Sequence, residues 1–361
     1  MQLSSSQLLS IGWNSRLDIQ FQPHAQAGLS PARVAAAHRD LCILLTESGE
    51  LSAEVSGRFR LQTALTSGFP AAGDWVAASL RPQEGKATIH AVLPRSSAFT
   101  RKAAGERVQE QVIAANIDTA IIVMGLDGDY NLKRLERYLT LAWGSGAVPL
   151  VVLNKSDLCE DPDGRRLEVE AAAIGVTVLL TAAEPGQGLG ELHTRLAPGT
   201  TAALLGSSGV GKSTILNRLL GERHMDTAAV REDDSRGRHT TTHRELVVLP
   251  SGAMVIDNPG LREVGLWGDE EALEGSFPDV EELARSCRFS DCRHDGEPGC
   301  AVRRAVADGS LAPERFESWR KLQRELRFLA RRADESLRRA QLQRSKSLAK
   351  FQKRFRKDAR F

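Results

Sequence analysis

The 361-residue sequence lacks any run of 18 apolar residues, and the segment from Met1 to Trp13 has neither a basic start nor a continuous apolar stretch. A membrane-spanning helix needs about 20 mostly apolar residues, and a secretory signal needs an apolar core that follows basic residues. We therefore expect a cytoplasmic protein that has no membrane partner.

Cysteine is also scarce, because the chain has only five, which is too few for a disulfide framework in a protein of this length. Cys42 and Cys159 stand alone beside apolar residues and are interpreted as inert thiols. The other three cysteines lie within fourteen residues and surround His294, at positions Cys287, Cys292 and Cys300. Such crowding suggests a metal site.

The charge is unevenly distributed although the total is only +2. From Pro313 to the end there are seventeen Lys or Arg against six Asp or Glu, so this tail carries about +11. A positively charged segment favours a negatively charged partner, and nucleic acid is the leading candidate.

The length predicts two or three domains, and 41% hydrophobic with 26% charged residues is normal for globular proteins. Residues 1–30 show no clear periodicity and are assigned as an extension of unknown order. Over 31–100, short runs of β-forming residues separated by turn signals, such as Cys42–Thr46 and Trp75–Ala78, predict a small OB-type β-barrel. No helix-length amphipathic pattern interrupts this stretch.

Over 101–270, apolar segments alternate with helical patterns, which predicts a mainly parallel sheet with helices on both faces. Ligands bind such sheets at the carboxyl ends of the strands. Residues 271–312, with short helical patterns and the cysteine cluster, are expected to form a zinc-binding subdomain, and residues 313–361 are expected to form a basic helical tail.

The strongest motif is a P-loop that follows the predicted strand Ala202–Leu205 and precedes a helix. Its glycines free backbone N–H groups to bind phosphates, Lys212 reaches the outer phosphates, and Ser213 offers an oxygen to Mg²⁺. The predicted nucleotide ligands here are Gly206, Ser207, Ser208, Gly209, Val210, Gly211, Lys212, Ser213 and Thr214.

A second motif predicts which base is bound, since Asn154, Lys155, Ser156 and Asp157 directly follow a predicted strand. The Asp157 carboxylate can accept from N1–H and the exocyclic amine of guanine, and adenine lacks both donors in that geometry. Lys155 can lay its aliphatic stem over the base, and Asn154 can tie loops together. After the next strand, Thr181, Ala182 and Ala183 offer a backbone N–H to the guanine oxygen.

A third motif, from Asp257 to Gly260, places a carboxylate where it reaches Mg²⁺ through water and a glycine near the γ-phosphate. Between it and the P-loop lies a polar segment in which Thr241 or Thr242 can complete the Mg²⁺ shell when GTP is bound. The sequence does not choose between the two threonines.

The order of these motifs is unusual, because in an ordinary small GTPase the P-loop comes first and the guanine loop fourth. Joining the old termini and opening the chain elsewhere keeps the same sheet. The motifs therefore predict a circularly permuted GTPase whose switch segments lead directly into the C-terminal region.

In this combination and order, from about residue 31 onward, the chain resembles the RsgA family of circularly permuted GTPases of small-subunit biogenesis. The features shared are the preceding barrel, the three nucleotide motifs, Gly-Arg-His-Thr-Thr-Thr at 237–242 and Cys-x₄-Cys-x-His-x₅-Cys at 287–300. The resemblance implies a GTPase that docks on the small ribosomal subunit and its rRNA late in assembly, with hydrolysis stimulated by that particle. The fold class expected is therefore an OB-type barrel, a circularly permuted α/β P-loop domain and a zinc-binding, helical C-terminal region.

Catalysis is expected to need a residue other than the usual glutamine, because Leu261 stands where many GTPases have a glutamine that orients the attacking water. A leucine cannot hydrogen-bond water, and His239, beside the switch threonines, is the candidate replacement. A surface histidine in a mobile loop is the alternative interpretation.

Three thiolates and one imidazole suit a closed, structural Zn²⁺ site. The spacing alone leaves open a group of unrelated buried cysteines, and the family resemblance implies one zinc per chain, held by Cys287, Cys292, His294 and Cys300. The basic tail is expected to contact rRNA phosphates, with a solvated helix face as the alternative.

Two other functions compete with a subunit-stimulated GTPase. One is a GTP-dependent switch that binds another RNA or protein and hydrolyses GTP only incidentally, and the other is an ATP-driven kinase or transporter subunit, which Asp157 disfavours. We expect a monomer that exchanges GTP and GDP.

Overall fold

A computed structural model describes residues 6–38, 41–63, 66–102, 110–221, 246–257, 271–328 and 330–331. Two helices, α1 (Ser6–Ser10) and α2 (Ser15–Gln26), precede the first strand. Asn14 caps α2 by accepting a hydrogen bond from the backbone N–H of Leu17. Apolar side chains from this segment pack against Trp75, namely Leu8, Trp13, Leu17 and Phe21. These helices, to which the sequence assigned no structure, are thus part of the packed protein.

A closed five-stranded barrel follows, as predicted, with the order β1-β2-β3-β5-β4. Its strands are β1 (Ser30–Ala37), β2 (Cys42–Thr46), β3 (Gly49–Val55), β4 (Trp75–Arg81) and β5 (Lys86–Val92). Only the β3 and β5 pairing is parallel among the barrel's pairings. Inward-facing residues such as Val34, Leu44 and Ile89 fill the interior.

One short helix of six residues, α3 (Gly57–Gln62), lies between β3 and β4 of the barrel, where the sequence shows no helix-length amphipathic pattern. Ser56 caps α3 through the backbone N–H of Phe59. None of the residues of α3 is buried. The helix therefore carries no apolar periodicity that sequence reasoning could detect.

A two-stranded hairpin, β6 (Ala98–Lys102) and β7 (Glu110–Ala115), connects the barrel to the next sheet. It bridges back to the barrel segment where Ala114 pairs with Ala72. The predicted boundary near residue 100 falls within this hairpin, and the domain boundaries stay a prediction.

The predicted alternation of strands and helices is confirmed by a six-stranded sheet of order β10-β9-β8-β11-β13-β12. The strands are β8 (Thr119–Gly125), β9 (Val148–Asn154), β10 (Thr177–Leu180), β11 (Thr201–Leu205), β12 (Leu246–Val248) and β13 (Met254–Ile256). The helices are α4 (Leu132–Ser145), α5 (Pro162–Ala172), α6 (Leu189–Arg195) and α7 (Lys212–Leu220).

All pairings in this sheet are parallel except that of β12 with β13. Separate apolar clusters cover the two faces, with Ile122 and Val151 on one and Ile121 and Val152 on the other. Burial on both faces explains why these strands read as continuous apolar runs. The carboxyl ends of the five parallel strands gather at one edge.

The C-terminal region packs on α4 through a cluster that includes Leu141, Phe277 and Trp319. Its helices are α8 (Glu271–Ser276), α9 (Pro278–Arg285), α10 (Ala301–Asp308) and a helical segment over 313–328. None of the helices within the described ranges is long and apolar enough to cross a membrane.

Arg33 on β1 joins the barrel to the six-stranded sheet and is only 2% exposed. Its guanidinium donates to Thr201 Oγ1 at 2.7 Å and to the carbonyl of Ile11, lies 3.2 Å from Met254 Sδ, and sits over the Trp75 ring. Burial lowers the pKa of Arg33 to about 10, so the group stays charged at neutral pH. A buried cation with several partners is costly to disturb, because its removal leaves those partners unsatisfied.

Replacing Arg33 with Met should lower the free energy of unfolding by about 2–4 kcal/mol, since polar atoms in three parts of the chain lose their donor. Urea denaturation followed by tryptophan fluorescence measures this. Arg81→Ala is the control: its ion pair with Glu84 is about half exposed, and its loss should change stability by less than about 0.5 kcal/mol. If the two variants have the same free energy of unfolding, this role of Arg33 is contradicted.

Candidate functional site

The predicted P-loop begins where β11 ends, at the carboxyl edge of the sheet. Gly206 has φ +138°, and a Cβ on it would lie 2.3 Å from the carbonyl oxygen of Val123 on β8. Only glycine fits this close approach. The loop then runs over the exposed Ser208 and Gly209 to the N-terminus of α7, whose backbone N–H groups favour phosphate.

Lys212, the first residue of α7, is buried and turns back over the loop. Its ammonium group donates to the carbonyl oxygens of Gly206, at 2.8 Å, and Ser207. A cation is therefore held directly against the loop. Ser213 and Thr214 follow on the first turn of α7 and are partly exposed.

Asn154, the last residue of β9, links three loops through one buried amide. Its Nδ2 donates to the carbonyl of Val210 in the P-loop at 2.9 Å. Its Oδ1 accepts from the backbone N–H of Ala183 at 2.9 Å and from Thr181 Oγ1 at 3.1 Å. Gly211 makes room for this amide, because a Cβ on it would lie 2.2 Å from Nδ2. The amide thus holds the guanine and phosphate motifs together at one edge.

The rest of the guanine motif forms a tight turn beside the sheet. Lys155 has φ +63°, and the backbone N–H of Ser156 donates to the carbonyl of Thr181 at 3.1 Å. Asp157 lies on a single 3₁₀ turn and is exposed, so its carboxylate is accessible to solvent. The neighbouring Ala182 is buried and pairs with Gln187.

Asp257 directly follows β13, which lies next to β11 in the sheet. Its carboxylate therefore leaves the same edge as the P-loop. The other residues predicted for the switch and for catalysis lie outside the described ranges: His239, Thr241, Thr242, Gly260 and Leu261.

Two contacts at this edge were not predicted from the sequence. Lys155 Nζ lies 2.6 Å from Asp127 Oδ2, in the loop after β8. The Tyr138 phenol, on α4, lies beside Ser207 of the P-loop, and burial raises the pKa of this phenol. The Asp-Gly-Asp run at 127–129 directly after an apolar strand was the only available signal for the first contact.

The three C-terminal cysteines and His294 converge as the sequence predicts, with one ligand atom from each residue within 4.8 Å of the others. Cys287 and Cys292 flank the turn after α9, and Cys300 caps α10. His294 has φ +59° and is 4% exposed, with its Nδ1 3.3 Å from Cys300 Sγ. This Cys₃His cluster is compatible with a zinc site.

The surroundings of the cluster favour the ligating forms of His294 and Cys287, whereas burial raises the pKa of the Cys292 thiol to about 11. Burial lowers the pKa of His294, which keeps the imidazole neutral at neutral pH. The backbone N–H of Ala301 donates to Cys287 Sγ at 3.3 Å, and that of Arg303 donates to Cys300 Sγ at 3.4 Å. N–H groups directed at sulfur stabilise thiolates, the form in which cysteine binds metal.

Comparison with known proteins relates this architecture to one family. A family model described as RsgA GTPase matches residues 92–267. The chain is 51% identical over 350 residues to the small ribosomal subunit biogenesis GTPase RsgA of Opitutus terrae, across 94% of this chain and 95% of that relative.

Two solved structures are similar to this one over about four fifths of the chain. The crystal structure of YjeQ from Thermotoga maritima has a TM-score of 0.62 and 28% identity, covering 82% of this chain and 98% of that one. YloQ, described as a circularly permuted GTPase, has a TM-score of 0.61 over 83% of this chain and 95% of its own. At 24% identity, the likeness to YloQ supports the fold alone.

Proposed function

Because the chain belongs to the RsgA family of GTPases, we propose that it hydrolyses GTP on the small ribosomal subunit, late in the assembly of that particle. The observation that carries the proposal is 51% identity across 94% of the chain to a relative named for small-subunit biogenesis. The P-loop and the guanine motif lie at the same edge of the sheet. This supports the proposal, because a GTPase needs ligands for both the phosphates and the base.

The GTP ligands we propose are the residues of the three predicted motifs. Asp157 would select guanine by accepting hydrogen bonds from N1–H and the exocyclic amine of the base, and Lys212 would transfer its hydrogen bonds from the loop carbonyls to the outer phosphates. The exposure of Asp157 supports this role, because the carboxylate is accessible to a base.

Mg²⁺ is expected with GTP, and the donors at the edge suit it, since hydroxyl and carboxylate oxygens are the ligands this ion prefers. Ser213, on the helix that follows β11, and Asp257, directly after the neighbouring strand β13, would supply them. Thr241 or Thr242 would complete the set, and the choice between them stays a prediction. His239 is proposed to orient the attacking water in place of Leu261.

The Cys₃His cluster is proposed to hold one structural Zn²⁺. The chemistry of the donors fits, because three sulfurs and one imidazole close a tetrahedral site. Its position supports a structural role, since Cys300 belongs to the apolar cluster that packs the C-terminal helices on α4.

The proposed partner is the rRNA of the small subunit, and the basic tail after Pro313 is the proposed contact. A segment of about +11 binds phosphates by counterion release, which makes its affinity sensitive to salt. We propose that the chain acts in the cytoplasm as a monomer.

Purified small subunits should stimulate GTP hydrolysis strongly, and His239→Ala should lower the stimulated rate by about 10²-fold while GTP binding stays near normal. The reason is that the proposed imidazole contact with water is made mainly in the transition state. Steady-state phosphate release with and without subunits measures both effects, and Lys212→Ala sets the background rate.

Co-sedimentation with small subunits must show that the His239 variant still docks. A docked variant that hydrolyses GTP at the wild-type rate would remove His239 from the mechanism. Absence of stimulation in the wild-type protein would favour the alternative, a GTP-dependent switch that is not tied to the ribosome.

Metal analysis should find about one zinc per chain, and Cys292→Ser should lose it and expose the C-terminal region to limited proteolysis, because the binding energy of a structural site is largely folding energy. Cys159→Ser is the matched control, since that thiol lies outside the cluster and should leave the zinc content unchanged. Freshly purified, unchelated wild-type protein without zinc would refute the site.

A further inference from the structure

The ion pair between Lys155 and Asp127 lies where the proposed guanine site begins. Lys155 Nζ and Asp127 Oδ2 are 2.6 Å apart, and the hydrogen bond from Lys155 is the main cause that lowers the pKa of Asp127. The carboxylate is therefore ionised at neutral pH, and the pair is a charge-assisted hydrogen bond. The inference drawn from it rests on the proposed assignment of Lys155 to the guanine base.

The backbone fixes the place of Asp127. Gly125 at the end of β8 pairs with Asn154 at the end of β9, and the N–H of Leu126 donates to the carbonyl of Asn154 at 2.8 Å. A Cβ at position 125 would lie 2.5 Å from Asp127 Oδ1. The glycine thus leaves room for the carboxylate beside the strand that carries the guanine motif.

The loop that carries Asp127 is braced on its far side. The backbone N–H of Asp129 donates to Asp127 Oδ1 at 3.1 Å, and the Asp129 side chain pairs with Arg134 at 2.7 Å. Farther along, Tyr130 donates to Glu168 on α5 at 2.7 Å. Asp127 is consequently a fixed anchor, whereas lysine is a flexible four-carbon chain.

Stability does not account for this pair, because its side chains are 29% and 32% exposed and such pairs contribute little to folding. Its main effect is geometric. Holding the ammonium at one end removes rotamer freedom from the aliphatic stem of Lys155, which a bound base would otherwise have to restrict.

We propose that Asp127 is a positioning residue for guanine-nucleotide binding, which holds the stem of Lys155 in place to cover the base. The stem contacts the face of the base and not its edge, so this contact strengthens binding without choosing among purines. Asp157, which faces the edge, carries the choice.

The experiment measures the GDP dissociation constant by titration of the full-length chain, together with kcat and KM for GTP. Asp127→Ala should raise the dissociation constant and KM by about 3- to 10-fold and leave kcat unchanged, because pre-organisation acts on binding. Asp127→Asn, which keeps an acceptor oxygen, should lose less affinity than Asp127→Ala. Thermal unfolding of each variant without nucleotide should match wild type within about 2 °C.

A double-mutant cycle separates positioning from a general effect on the loop. Once Lys155→Ala has removed the stem, adding Asp127→Ala should cause no further loss, because the anchor then has nothing to hold. Asp163→Ala is the control, because it removes an exposed carboxylate that pairs with Arg166 on α5 and takes no part in bracing Asp127, and its GDP dissociation constant should stay within about twofold of wild type. The ratio of GDP to XDP affinity should be the same in Asp127→Ala as in wild type.

An unchanged GDP dissociation constant for Asp127→Ala would overturn the proposal. A lower dissociation constant would also overturn it, because it would mean that Asp127 draws Lys155 away from the base. The proposal would likewise be overturned if Asp127→Ala raised the GDP dissociation constant by the same factor in the Lys155→Ala background as in the wild-type protein. Asp157→Asn tests the site itself and should shift preference toward XDP. If guanine preference survives that change, the guanine site is misplaced and the positioning role is rejected with it.

Discussion

The nucleotide edge depends on one buried amide, that of Asn154. The loops that begin near residues 154, 181 and 206 are far apart in sequence, and they come at the ends of β9, β10 and β11. The amide satisfies a carbonyl in the P-loop with its nitrogen and two donors of the 181–183 loop with its oxygen. Because the group is buried, a missing partner would cost about 1–3 kcal/mol, so the three loops are held together as a unit. Gly211 is required for the same reason, since any side chain there would displace the amide.

The edge is connected mechanically to the regions on either side of it. Arg33 donates to Thr201 on β11, the strand that leads into the P-loop, and so connects the barrel to that strand. On the other side, Tyr138 lies beside Ser207 of the P-loop, and two residues earlier on α4 Glu136 pairs with Arg315 at 3.1 Å. Arg315 also pairs with Asp279 of α9 at 2.9 Å, which carries the connection to the region of the Cys₃His cluster. Helix α4 is therefore packed between the P-loop on one side and the C-terminal helices on the other.

The sequence predicted the parts of the site that depend on local chemistry. Glycine spacing in the P-loop and apolar runs before each motif are readable without knowledge of the fold, and so is the cluster around His294. The contacts that depend on strand register were missed, because Asp127 meets Lys155 only when β8 and β9 are paired in one alignment. Helix α2 was missed because it carries Pro23 and only a weak apolar face, and its burial comes from packing on Trp75. Tertiary contacts of this kind decide structure where local pattern is weak.

The central claim is that guanine nucleotide binds at the edge held by Asn154, and hydrogen–deuterium exchange of the full-length chain with and without GDP and Mg²⁺ tests it most directly. Ligand bound to a loop slows the local opening that permits exchange. We expect new protection concentrated at 154–157, 181–183 and 206–214, with little change in the barrel strands β1 to β5. Protection confined to the barrel or to the C-terminal helices, with these three loops unchanged, would contradict the assignment.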